Sequence, residues 1–221
     1  MKPWLMLSLC ILAAGLIVAC DESGQNKGDQ EEEYLPDSVN TDGMATVSPE
    51  YLIESVGLSF ADLGQMLEEM DTIVPGMGIL QDTLSTESGY KYATRTLHVE
   101  DGTVVVEGEY VREEDASQER IAQSFVNRIR IQSPSFQTKY GVATGMTIEA
   151  LNEKFPGELF LINPIPAYQA IDITGAFDTH IHYLIHDPGN AIGLKAMEEN
   201  VELTLDDLPK DKKLFAIVLM R

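Results

Sequence analysis

The sequence predicts an α+β protein made of two units, each a short helix followed by antiparallel strands. Three observations carry that expectation. An Asp101-Gly102 pair sits between two β-prone runs, the signal of a tight hairpin. Two stretches have apolar residues at helical spacing, each closed by a Pro-Gly pair, Pro75-Gly76 and Pro156-Gly157. Alternating runs of four to nine residues dominate the rest of the chain, as strands with one buried face do.

The expected elements follow in order. Ser48-Pro49 suits the start of a helix, and Tyr51-Leu52-Ile53 equally suits a short strand. In residues 59–70, Phe60, Leu63, Met66, Leu67 and Met70 recur at helical spacing, and Ser59 with Asp62 resembles a capping box. Strands are expected at 79–86, 91–99 and 103–111, followed by a polar loop at 112–119. A further strand at 124–131 places Phe125, Ile129 and Ile131 on one face and Val126, Arg128 and Arg130 on the other. The two arginines are read as cross-strand partners of carboxylates, and Tyr90, Tyr92 and Tyr110 as cross-strand packing. Ser133-Pro134 breaks the chain. Residues 147–155 then form a helix capped by Thr147, with Ile148, Leu151 and Phe155 on one face. Strands at 158–162, 168–174, 178–186, 201–205 and 214–220 complete the second unit, with a turn at 187–190.

The expected organisation is therefore residues 1–19 as an export signal, 20–47 as an acidic flexible tether, 48–132 as the first α+β unit and 133–221 as the second. The apolar run that begins at Leu5 is too short to span a bilayer comfortably, where about 20 residues are needed. The tether carries Glu31, Glu32 and Glu33 among other acids and few apolar residues, so it cannot offset its ordering entropy. Without residues 1–19, whose one charged residue is Lys2, the chain holds 14 basic and 36 acidic residues, a formal charge of −22. Such a surface repels nucleic acid and anionic headgroups and accepts basic partners or divalent cations. The two cysteines are Cys10, inside the signal, and Cys20. The body of the protein then offers no thiol nucleophile and no disulfide.

Ile17-Val18-Ala19-Cys20 resembles the lipobox of bacterial lipoproteins. That resemblance implies cleavage before Cys20 and a diacylglycerol, with fatty chains such as palmitate, on its thiol. Two or more chains give stable anchoring where one is marginal. The implied address is the bacterial cell envelope, with the outer membrane or periplasmic face favoured. Asp21 resembles an inner-membrane retention signal, which leaves the inner membrane open.

The two units share a pattern. Gly57-Leu58-Ser59-Phe60-Ala61-Asp62-Leu63 and Gly145-Met146-Thr147-Ile148-Glu149-Ala150-Leu151 both read glycine, large apolar, hydroxyl, large apolar, two variable, leucine. Tandem duplication and local convergence both account for it. The second copy resembles the signature of small envelope lipoproteins of the β-lactamase-inhibitor-protein-like type, which includes the outer-membrane assembly factor BamE. The resemblance implies a non-enzymatic scaffold that binds another envelope protein through a sheet face or loops, with no cofactor.

The one cluster that could carry chemistry lies at 178–186. With strand periodicity Asp178, His180, His182 and His186 share a face, and a His-x-His pair with Asp178 can hold zinc or copper. His186 lies roughly 13 Å from His182 along a strand, too far for the same ion. The plain alternative is four polar residues on the wet face of a sheet. His98 is expected exposed or half-buried on another strand. Nucleotide loops and serine-nucleophile elbows are missing, and the paired acids Glu68-Glu69, Glu113-Glu114 and Asp206-Asp207 point apart. Residues 37–42 alternate oxygen-bearing side chains but lack the glycine and closing glutamate of a calcium loop. A lipid-anchored binding or assembly module is the leading expectation, and a metal-binding or metal-dependent envelope protein the alternative.

Overall fold

The hairpin marked by Asp101-Gly102 is where the sheet is easiest to follow. Strand β1 (Gln81–Glu87) pairs with β2 (Tyr90–Val99), which turns through Glu100-Asp101 into β3 (Gly102–Gly108). The two-residue β4 (Val111–Arg112) continues on β2, and β5 (Val126–Ile131) pairs with β3. In the second segment β6 (Phe160–Ile165), β7 (Ala170–Gly175), β8 (Asp178–His186) and β9 (Leu214–Met220) follow as successive antiparallel neighbours. The last strands of the two segments, β5 and β9, pair antiparallel, so the order across the sheet is β6-β7-β8-β9-β5-β3-β2-β1. The computed structural model describes residues 48–199 and 201–221; the expected signal, the tether and Cys20 lie outside the described residues.

One face of this sheet makes the core. The register aligns Leu97, Val104, Ile131, Ile217, Tyr183, Ile173 and Ile162 as a single apolar row over seven strands. Helix α2 (Ile148–Lys154) contributes Ile148, Leu151 and its C-cap Phe155 to the same cluster, as do Ile53, Leu58 and Phe136. The result is a sheet-dominated α+β fold.

Several expectations hold in detail. Strands 178–186 and 214–220 have the expected limits, and Thr147 Oγ1 accepts the Ala150 N–H at 3.2 Å as the cap of α2. Others need correction. The 59–70 helix does not form: Gly57–Leu58 and Ala61–Asp62 make a two-rung hairpin, and Leu67–Glu69 is one 3-10 turn. Phe125 is 44% exposed and Val126 is buried in its place. The register shift between Val126 and Arg128 inserts a residue, which reverses the alternation on one side of the shift. The 112–119 loop closes on a short helix α1 (Gln118–Ala122), capped by Ser117. The expected strand at 201–205 is unpaired chain leading into a 3-10 turn, Leu205–Asp207, because Thr204 and Asp207 cap each other. After the 187–190 turn comes a helix the sequence pattern did not announce, α3 (Ala191–Glu199). Buried Asp187 starts it by accepting the N–H groups of Ile192 at 3.0 Å and Gly193 at 2.9 Å.

Candidate functional site

The second face of the sheet is polar, and the sheet coils around it. Tyr168, between β6 and β7 at one edge, donates to Glu87 Oε1 at the opposite edge over 2.7 Å. Only a strongly twisted sheet brings opposite corners this close. Glu107 on β3 lies under that face, 1% exposed. Arg128 Nε donates to its Oε2 at 2.8 Å, Arg128 Nη2 donates to the same oxygen, Tyr110 donates to it at 3.0 Å, and Arg130 Nη2 stands 3.6 Å from Oε1. The arginines at 128 and 130 are thus cross-strand partners of a carboxylate, as expected. Tyr92 packs on Tyr110 with ring centroids 4.3 Å apart. Burial, reinforced by the Glu107 charge, pushes the Tyr110 phenol far above its ordinary range. Burial opposes the charge on Arg128, but Glu107 outweighs it and holds the guanidinium above its usual value. A carboxylate engaged by these donors balances the charge of half-buried Arg128 and ties β3 to β5.

The histidines separate. His182 Nδ1 lies 2.9 Å from Asp172 Oδ2 and 2.9 Å from Thr174 Oγ1, both on the neighbouring strand β7. His180 Nδ1 meets the Met220 carbonyl at 3.2 Å, and His186 stacks on Phe215 at 3.9 Å. Asp178 is buried; it accepts the Ser55 hydroxyl and the His180 backbone N–H. The register shift between Thr174 and Gly175 takes Asp178 out of step with the histidines. Asp178, His180 and His182 therefore have three different sets of partners, and no group of three metal-ligating side chains occurs among the described residues. Asp172, the partner of His182, is a site residue that strand alternation alone can find: its even-numbered place beside Thr174 in β7 puts it on the polar face. His98 is exposed on β2, as expected.

The outer edge of the sheet at β6 has a different character. Among the described residues β6 pairs with β7 alone. Leu159 is 77% and Leu161 61% exposed. Beside them runs a cleft of about 500 Å³ between β6 and the unpaired chain at Val201, Glu202 and Leu203. A second cleft of about 430 Å³, sharing Phe160, extends it toward Pro156 on one side and Asp206 on the other. No helix among the described residues is long and apolar enough to cross a membrane.

No protein-family model matches this sequence, and no curated protein matches it. Among solved structures, the crystal structure of the uncharacterized protein yfeY from Escherichia coli is similar over 73% of this chain and 97% of that one, with 14% identity and a TM-score of 0.44.

Proposed function

We propose that this chain is a lipid-anchored, non-enzymatic binding or assembly module of the bacterial envelope. Cys20 carries the anchor, residues 20–47 give reach, and the folded body meets another envelope protein. The observation that carries the reading is the edge of β6 left unpaired among the described residues, where exposed Leu159 and Leu161 line two adjoining clefts. Exposed leucines beside an unpaired strand edge are costly to leave uncovered and mark an interaction surface. Anchoring adds to this by raising the effective concentration near membrane partners. The two four-strand runs, joined through β5 and β9, are compatible with tandem units at 48–132 and 133–221.

Two measurements test the proposal. Mass spectrometry of the mature protein is expected to find Cys20 at the N-terminus bearing diacylglycerol. A photo-crosslinking residue at position 161 is expected to trap one defined protein in the native envelope, and the same residue at position 98, on the polar face, is expected not to. Unmodified Cys20 overturns the address, and identical trapping patterns from 161 and 98 overturn the binding surface.

A further inference from the structure

The open edge also states what kind of segment it takes, if the binding-module reading on which this rests is right. Pro164 lies in β6 opposite Ile171. A proline has no N–H to give to a ladder and is accommodated on an edge strand with its nitrogen turned outward. Alternation along the strand then turns the N–H and C=O groups of Phe160 and Ile162 outward as well. These groups form a short row that can receive another strand.

The cleft fits such an arrival. Its β6 wall includes Phe160, Ile162 and Pro164, and the facing wall is Ala196 with the chain from Val201 to Asp206. The ionisable side chains lining the two clefts are all acidic: Glu158, Glu202 and Asp206. Lys195 and Glu199 line a third cleft that shares Ala196, Val201, Glu202 and Leu203 with the first, and there Lys195 attracts Asp207 and leaves the acids in excess. A strand advances about 3.3 Å per residue, so the stretch from 158 to 164 accommodates about six or seven residues of an added chain. At the opposite edge, β1, both carboxylates already have partners. Its Asp82 is held by Arg95 at 2.8 Å, and Glu87 is taken by Tyr92 and Tyr168.

We propose that the outer edge of β6 binds an extended segment of a partner protein by strand addition, and that the segment alternates apolar residues with lysine or arginine. The apolar side chains enter the cleft beside Phe160 and Leu203, and the cations meet Glu202 and Asp206. Main-chain bonds to Phe160 and Ile162 give affinity, and the alternation gives selectivity.

The test uses the full mature chain in mild detergent and a labelled, end-blocked peptide, Lys-Val-Lys-Val-Lys-Val. Fluorescence anisotropy is expected to show it binding at least about tenfold more tightly than a peptide of the same composition in blocks, or one with glutamate for lysine. N-methylation of alternate peptide bonds is expected to abolish binding, because it removes main-chain donors and leaves the side chains in place. Hydrogen exchange is expected to slow at the Phe160 and Ile162 amides when peptide is added. The double variant Glu202→Lys, Asp206→Lys, both in exposed chain, is expected to weaken binding at least about fivefold with an unchanged Tm. Equal binding of the block and N-methylated peptides, or protection at β1 in place of β6, overturns the proposal. So does protection of residues 160–162 that grows with protein concentration in the absence of peptide, which assigns the edge to a second copy. A defined envelope partner trapped from position 161 together with failure of every alternating peptide removes strand addition and leaves the binding module standing. Failure of both removes the binding module too.

Discussion

Residues 57–63 and 145–151 follow one sequence pattern and build different structures. In the second, Gly145 turns at φ +85°, Thr147 caps, and Leu151 is fully buried in α2. In the first, Gly57 pairs with Asp62 and Leu58 with Ala61 in a tight hairpin, and the Ser59 hydroxyl donates to the Glu50 carbonyl at 3.3 Å in place of capping a helix. Two differences account for this. Gly64, at φ +83°, interrupts the first stretch, whereas Asn152-Glu153-Lys154 continues the second. The first turn of α2 also has backbone partners: Ile148 N–H donates to Lys212 O at 2.9 Å and Glu149 N–H to Lys210 O at 3.0 Å. A helix start leaves N–H groups without intrahelical acceptors, and the approach to β9 supplies two. An apolar stripe with a hydroxyl in front is thus necessary for this helix and not sufficient.

Substitutions at matched positions sharpen the contrast. The largest effect is expected at Leu151→Ala, about 2–5 kcal/mol by denaturant unfolding, since the side chain is wholly enclosed. Leu63→Ala, at a half-buried position, is expected to cost about 1 kcal/mol, and equal costs would break the comparison. The two glycines are expected to fail for different reasons. At Gly57 a Cβ would stand 2.3 Å from the Ala61 carbonyl oxygen, so Gly57→Ala overpacks the hairpin by about 1–3 kcal/mol. At Gly145 nothing lies within 4 Å, and Gly145→Ala meets only the left-handed backbone cost, about 1–2 kcal/mol. Gly145→Asn is expected to recover part of that loss and Gly57→Asn none, which unfolding midpoints of the four variants will show. The smallest pair is the hydroxyls. Thr147→Ala is expected to cost about 1 kcal/mol as a lost cap, and Ser59→Ala to stay within about 0.5 kcal/mol. A Ser59→Ala loss as large as that of Thr147→Ala would mean that Ser59 caps a helix after all.

The same contrast explains what was readable. The hairpin at Asp101-Gly102, the strands 178–186 and 214–220 and the helix α2 were legible because local signals agree with the burial each element finds. The role of Arg128 and Arg130 was legible from alternation alone. Helix α3 was hidden because Gly193 interrupts its pattern. That glycine answers a tertiary need, since a Cβ there would stand 2.7 Å from the Pro164 side chain. The strand expected at 201–205 failed because an alternating run becomes a strand only where a partner accepts its ladder bonds. Val126 and Asp178 depart from the faces that simple alternation assigns them because a register shift is a property of two strands and one strand's pattern does not contain it. Asp172 was readable from the alternation of β7, but its pairing with His182 depends on the register of two strands.

By itself the sequence determined the acidic character of the chain, the period of most of its strands, the cap of α2 and the tight turn between β2 and β3, since each depends on neighbours a few residues apart. Tertiary packing settled that β5 and β9 join the two segments into one sheet, that Asp178 accepts the Ser55 hydroxyl, and that, among the described residues, β6 keeps one edge unpaired beside a cleft. Those outcomes depend on which strands meet and in what register. Pairing between strands far apart in the chain is set by the competition of all faces for burial, which no local window of residues contains.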